Sequence, residues 1–371
     1  MILASSKIRQ IEYSDFSLKV HESAGSDRVI KAQMELTYRC NLHCRHCYTD
    51  PFNKSEYFPK EMTLEEIKRI LDEMADLGIL WLNFTGGEAL ARKDFFEIYD
   101  YAYAKGFILT LYTNGTMFTE TIIDRLKERP PFFIDVSCHS ATEENFDWFT
   151  KVKGSYRNFL KGMELLKASG LSFRMKSIAM SWNRKEWPDI RQFVESFGQP
   201  FRFTTSLHPR LNGNLEPLDL RLSPPEVVNL ETGYDEIEKE DQGCQETTIV
   251  DYVPDRLYRC TCATNGIHIN AWGDLGTCTM EYEVRASLRK NSLKEAIGGV
   301  FQKVRSLKYQ VNTPCHACAL YIYCDKKISA VRREFKNPQS ANPYACDLAF
   351  LRASRVSDKE VVHPLKNRRG E

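Results

Sequence analysis

The chain has 371 residues, with 51 Lys+Arg against 50 Asp+Glu and 42% hydrophobic residues. That apolar share excludes wholesale disorder, and a net charge of +1 excludes the basic surplus that non-specific nucleic-acid binding requires. No apolar run approaches the roughly 18 residues of a membrane-spanning helix and the first residues lack a signal-peptide core, so a soluble cytoplasmic protein with no nucleic-acid or membrane partner is expected, in about two or three domains.

Residues 1–31 read as an N-terminal extension. Strand signals follow at 32–37 (AQMELT), 79–84, 107–112, 132–138, 171–180 and 201–207, each separated from the next by a helix signal. Thr63 and Glu66 have the spacing of a capping box, and the helices after them stop at Gly78 and Gly106. Ser140 and Glu143 are expected to cap a helix that runs, interrupted, to Gly170. Six β/α units in about 180 residues imply a parallel sheet, because each crossover needs a helix. Six are too few for a closed eight-stranded barrel, so the expected fold is α/β, a partial (β/α)6 TIM-type barrel over 32–207. In such folds the chemistry gathers at the C-terminal ends of the strands. Residues 208–254 read as a linker, acidic in its second half; 255–350 as a small cysteine-rich domain; 351–371 as a polar, frayed tail.

Twelve cysteines are unusual for a reduced cytosol, where clusters of them bind metal or do chemistry more often than they form disulfides. Cys40, Cys44 and Cys47 form a C-x3-C-x2-C loop directly after the first strand. Zinc needs four ligands, which His43 or His46 would have to complete. An iron–sulfur cluster normally takes four cysteines, so three leave one iron open for a substrate or cofactor.

This loop, with Tyr48 immediately after it, resembles the signature of the radical S-adenosylmethionine (SAM) enzymes. Thr85-Gly86-Gly87-Glu88 at the second strand end is similar to that family's GGE motif. Thr113-Asn114-Gly115 ends the third strand, where the family often has a similar run, and Ser137 ends the fourth. The resemblance implies a 4Fe–4S cluster on Cys40, Cys44 and Cys47, with SAM chelated to its open iron. It places Tyr48 beside the adenine, gives Gly86, Gly87 and Glu88 the methionine ammonium, and sets Asn114 and Ser137 along the nucleotide. The family's arginine on the fourth helix is missing; Lys151, Lys153 or Lys176 stand as replacements, with Lys176 taken as the cofactor contact. Cys138 follows Ser137 on the strand, so alternation turns it toward the helices as an inert thiol rather than a hydrogen-atom donor.

The later cysteines resemble the SPASM extension of the same enzymes, which implies two auxiliary 4Fe–4S clusters. Cys315, Cys318, Cys324 and Cys346 match a complete second site. The first site would use Cys278 with Cys260 or Cys262, but Ile328 stands where the family has the cysteine that crosses over to it; Cys244 is the candidate substitute. The bland alternative is a pair of structural zinc sites, in a zinc-stapled binding module.

The implied activity is that of a maturase that cleaves SAM reductively and oxidatively crosslinks or otherwise modifies a ribosomally made peptide. Alternatives are a small-molecule cofactor precursor, a sulfatase-type residue, or peptide epimerisation. Sulfatase maturation is disfavoured because Thr279 stands where those enzymes carry an Asp; Glu281 and Tyr282 nearby read as a solvated loop. Implied partners are the peptide or protein substrate, an electron donor such as flavodoxin or ferredoxin, and a leader peptide. The leader would add to a strand edge formed by residues 11–20, or need a separate leader-binding protein.

Overall fold

The computed structural model describes residues 12–25, 28–233, 255–258, 263–357 and 359–366. Six parallel strands form the expected partial barrel: β1 (Lys31–Glu35), β2 (Trp81–Thr85), β3 (Ile108–Thr113), β4 (Phe133–Ser137), β5 (Phe173–Ile178) and β6 (Arg202–Thr204). The sheet continues past β1. Strand β7 (Gly266–Ile269) pairs parallel to it, Lys31 against Gly266, and β8 (Asp274–Gly276) and β9 (Ala286–Ser287) follow antiparallel. The order is β6-β5-β4-β3-β2-β1-β7-β8-β9, so the cysteine-rich part of the chain shares one sheet with the barrel.

Alternation sorts each strand into two faces. Ala32, Met34, Leu82, Phe84, Leu109, Leu111, Ile134, Val136 and Met175 are buried in the main apolar core. The helices on that face are α2 (Leu64–Asp76), α3 (Phe95–Ala104), α4 (Glu120–Glu128), α5 (Glu143–Thr150), α6 (Ser155–Ser169) and α7 (Trp187–Ser196). The other face is polar: Gln33, Asn83 and Thr110 lie in register, with His268 opposite Gln33. Closed barrels usually fill their interior with branched apolar side chains. Here the interior holds a cavity of about 320 Å³ lined by Gln33, Asn83, Thr110, Tyr112, His268 and Thr279, among others.

The Thr63–Glu66 capping box forms as expected, Glu66 N–H donating to Thr63 Oγ1 at 3.2 Å. Ser140 is not a cap. Thr142 is the N-cap of α5, and Ser140 Oγ instead bonds Glu186 at 2.8 Å. The interruption after α5 is fixed by Asp147, whose carboxylate accepts from Ser155 Oγ and Tyr156 N–H at 2.9 Å each.

Residues 13–20, expected as a strand edge, lie in helix α1 (Tyr13–Ala24). Aromatic packing against the barrel selects the helix: Tyr13 Oη accepts from Trp81 Nε1 at 2.8 Å, and the Phe16 and His21 rings lie within 6.1 Å and 5.3 Å of Trp81. The described part of the expected linker, 208–233, is structured, with a 3-10 turn at Glu216–Leu220 and α8 (Pro224–Gly233), while 234–254 lie outside the described residues. Among the described residues three further α-helices follow: α9 (Leu293–Ser306), α10 (Ile328–Phe335) and α11 (Pro343–Val356). Helix α8 packs on α11, with Arg352 bonded to Glu231 at 2.9 Å and Arg355 to the Val228 carbonyl at 2.8 Å. Residues 351–356 continue α11, and the buried His363 returns to Asp347 at 2.9 Å, so this stretch is folded rather than frayed. No helix among the described residues is long and apolar enough to cross a membrane.

Candidate metal centre

The Cys40–Cys47 loop leaves the C-terminal end of β1 and is held from several sides. Asn53 takes both backbone groups of Cys40, its Oδ1 accepting the N–H at 3.1 Å and its Nδ2 donating to the carbonyl at 2.9 Å. Glu61 accepts from Thr37 Oγ1 at 2.6 Å and Tyr38 N–H at 2.9 Å just upstream. His43 and Arg45 N–H groups donate to the carbonyls of Thr150 and Phe149, the last residues of α5, at 3.0 Å each. Such carbonyls lack partners within their own helix, so the loop and the helix end satisfy each other.

Burial pushes the Cys40 thiol up to about 12, with the Glu88 and Cys47 charges adding to it, and burial raises Cys44 and Cys47 as well, Cys44 also through the charges of Cys47 and Cys40. Thiols raised in this way stay protonated unless a positively charged metal group replaces the protons. That donor set fits an iron–sulfur cluster, in which each cysteine ligates a different iron. It does not fit the zinc alternative. No three His, Cys, Asp or Glu side chains among the described residues converge as a single-ion site. His43 Nδ1 is bonded to Asp50 at 2.9 Å. His46 is packed between His139 and Phe149, ring centroids 4.9 and 5.0 Å away, and burial followed by the Arg210 charge lowers it to about 4.

The GGE turn is zipped onto the start of this loop. Gly87 and Glu88 N–H groups donate to the carbonyls of Thr37 and Arg39 at 2.8 Å each. A Cβ on Gly86 would lie 2.3 Å from the Thr37 carbonyl oxygen, and one on Gly87 2.4 Å from that of Arg39, so only glycine permits the approach. The Glu88 side chain turns inward to the end of β3. It accepts Thr113 Oγ1 at 3.0 Å on both oxygens, Asn114 N–H at 2.8 Å and Leu90 N–H at 3.2 Å. Burial raises this carboxyl to about 7, and the two N–H groups oppose the rise. Asn114 reaches back to Asn41 Oδ1 at 3.0 Å and to Cys40 Sγ at 3.7 Å. Cys40, Gly86, Gly87, Glu88 and Asn114 are therefore joined in one bonded set.

The other nominated residues lie elsewhere around the rim. Ser137 and Lys176 are register partners on β4 and β5. Lys176 Nζ is 3.1 Å from Asp135 and lies over the Tyr112 ring, and Lys151 Nζ is 3.8 Å from Glu216. The Tyr48 hydroxyl faces Glu35 and Thr279. Glu35 is fully buried, accepts from Tyr38 Oη at 2.9 Å and lies 3.5 Å from His268 Nε2. Cys138 is fully buried and pushed up to about 12 by its burial, as its position on the strand requires.

Cys315, Cys318, Cys324 and Cys346 line one cavity of about 120 Å³. Burial raises Cys346 to about 12 and Cys324 to about 11, with the neighbouring thiolates adding to both. Lys326 Nζ donates to Cys315 Sγ at 3.2 Å, and the buried Ile328 packs against the same cavity. Four thiols lining one cavity again fit the donor set of a cluster. Cys244, Cys260 and Cys262 lie outside the described residues. The expected solvated loop at 281–282 is in fact interior. Glu281 is fully buried and accepts from Tyr258 Oη, Ser329 Oγ (2.6 Å), Glu283 N–H (2.8 Å) and Val284 N–H (3.0 Å). Tyr282 packs with Phe52 and Trp272.

Sequence reasoning missed Arg210. It is 5% exposed and donates to the carbonyls of Cys47 (3.1 Å) and Arg45 (3.3 Å) and to Asp50 and Glu216 (3.2 Å each). Nothing local in PRLNGN signals this. Glu35 was more accessible to reading, since a carboxylate two places after Gln33 shares its polar face.

A family model described as the Radical SAM superfamily matches residues 34–194. Among curated proteins, an AdoMet-dependent heme synthase of Methanosarcina barkeri (strain Fusaro / DSM 804) is 32% identical over 164 residues, 44% of this chain and 46% of that one. The match thus spans less than half of that relative. A PqqA peptide cyclase of Granulibacter bethesdensis is 27% identical over 297 residues, 76% of this chain and 78% of its own. Among solved structures, Streptococcus suis SuiB bound to precursor peptide SuiA superposes with a TM-score of 0.65 at 14% identity, covering 93% of this chain and 84% of that one, a likeness of fold.

Proposed function

We propose that the chain, whose residues 34–194 match the radical SAM family model, is an enzyme of that superfamily that cleaves SAM reductively and oxidatively modifies a ribosomally made peptide. The observation that carries this reading is the bonded set linking Cys40 to the GGE turn and Asn114 at the C-terminal ends of the strands. The PqqA peptide cyclase likeness, which covers three quarters of both chains, supports a peptide rather than a small substrate; the heme synthase likeness is confined to 164 residues.

Cys40, Cys44 and Cys47 would hold a 4Fe–4S cluster, which with SAM supplies the 5′-deoxyadenosyl radical that takes a hydrogen atom from the substrate. Gly86, Gly87 and Glu88, in a turn fixed by the Glu88 side chain, would hold the methionine ammonium. Ser137 and Lys176, register partners on adjacent strands, would contact the nucleotide, the Lys176 ammonium being held by Asp135. Cys315, Cys318, Cys324 and Cys346 would hold an auxiliary cluster, a one-electron acceptor for the oxidised substrate. Cys278 with Cys260 or Cys262, and Cys244 in place of the crossing cysteine, is the proposed first auxiliary set. A flavodoxin- or ferredoxin-type donor supplies electrons, and leader recognition falls to a separate protein.

The test is anaerobic reconstitution followed by co-expression with short open reading frames near the gene. Formation of 5′-deoxyadenosine from SAM, and loss of two hydrogens' mass per modified peptide site, is the expected result. Unchanged peptide mass with altered chirality would replace oxidation by epimerisation, and a colourless zinc protein would remove the reading altogether.

A further inference from the structure

The turn at 210–214 brings one cation against the three-cysteine loop from outside the barrel. Arg210 is positioned by its own backbone, its N–H donating to the Asn214 carbonyl at 2.8 Å, while Leu211 N–H donates to the Tyr48 carbonyl at 2.9 Å. The guanidinium spans the loop, bonding the carbonyl of Cys47 itself and that of Arg45. Two carboxylates face it: Asp50, shared with His43, and Glu216, which lies at the rim and is 49% exposed. A buried charge keeps most of its electrostatic reach, because little water screens it. Cluster potentials respond to nearby net charge, and a cation favours the reduced, more negative state.

We propose that Arg210 is a positioning residue of the Cys40–Cys47 loop whose charge raises the reduction potential of the cluster held there, with Glu216 partly opposing it. This rests on the radical SAM reading of the loop. Removing the cation leaves Asp50 and Glu216 facing the loop, and the cluster becomes harder to reduce. Removing Glu216 leaves the cation less compensated, and the cluster becomes easier to reduce. A purely structural part for the two residues gives no such opposition of sign. The same segment continues into α8, and Arg221 on the way bonds Glu334 of α10 at 3.0 Å, so the loop's electrostatic partner is anchored to the cysteine-rich region.

The experiment is a dithionite and titanium(III) citrate redox titration of the reconstituted full chain, followed by electron paramagnetic resonance. The signal that changes on adding SAM identifies the first cluster. At a fixed potential near the wild-type midpoint, Arg210→Met is expected to lower the reduced-to-oxidised ratio about tenfold, roughly 59 mV for one electron. Arg210→Lys, which keeps the charge, should stay near wild type, and Glu216→Gln should raise the ratio. Should Arg210→Met fail to hold iron, Glu216→Gln decides: an unchanged or lowered ratio overturns the proposal, as does an Arg210→Lys shift equal to that of Arg210→Met. A wild-type protein whose resonance ignores SAM overturns the underlying reading instead.

Discussion

The carboxylate of Glu88 and the backbone N–H of Asn114 meet at 2.8 Å, and this bond ties the GGE turn after β2 to the end of β3. The motif's acid thus works on the protein's own backbone, and Asn114 passes the constraint on to Asn41 and Cys40.

Replacing Glu88 by Ala leaves the Asn114 and Leu90 N–H groups buried without acceptors, at a cost of about 1–3 kcal/mol each. SAM affinity in Glu88→Ala is expected to fall about tenfold, with a smaller loss in Glu88→Gln, by equilibrium dialysis on reconstituted protein.

The same residue predicts a pH dependence. Its carboxyl is raised from 4.5 to about 7 by burial, so the folded chain binds more protons than the unfolded one between those values. The associated stability is full below about pH 4.5 and is lost as pH rises through about 7, amounting to up to about 3 kcal/mol. Thermal melts from pH 5 to 8 should show a decline that Glu88→Gln flattens.

Cys44→Ala should lose about four irons and all 5′-deoxyadenosine formation, whereas Cys346→Ala should lose a similar amount of iron and keep SAM cleavage. Iron assay and chromatography of the nucleoside distinguish the two. Equal loss of cleavage in both would show that the four-cysteine cavity serves the first step.

Gly86→Ala and Gly87→Ala each drive a Cβ into a backbone carbonyl at 2.3 and 2.4 Å, where no flexible side chain gives way. Both are expected to destabilise by about 2 kcal/mol or more and to abolish SAM binding. Retention of wild-type melting and SAM affinity in either would refute the close zipping of turn and loop.

Glu281→Ala should lower the melting temperature strongly, since it leaves Tyr258, Ser329 and two N–H groups without their acceptor. Glu281→Gln, which keeps one of the two acceptor oxygens, should retain SAM cleavage and part of the stability. A Glu281→Gln variant that melts normally but has lost product formation would make this residue catalytic.

Much of the barrel was legible because its signals are local. Alternating apolar positions mark β1 to β5, glycines stop the helices, and the cysteine spacing, the GGE run and Asn114 each fall at a strand end. Residues 13–20 misled because a short amphipathic run suits either a strand edge or a helix, and contact with Trp81 settles the choice. The same holds for 209–233, where proline and asparagine suggested a linker although the segment packs on α11.

Sequence alone determined the inventory of this protein: which residues can ligate iron, which turns demand glycine, and which strand faces are polar. Those properties follow from side-chain chemistry and the period of the backbone. Tertiary structure alone decided the partnerships. It set β7 beside β1, placed His268 against Glu35, turned Glu88 inward, and closed Arg210 over Cys47 from 163 positions along the chain. No local pattern encodes such contacts, because they arise when distant segments bury their apolar faces together and the polar groups carried inside must pair.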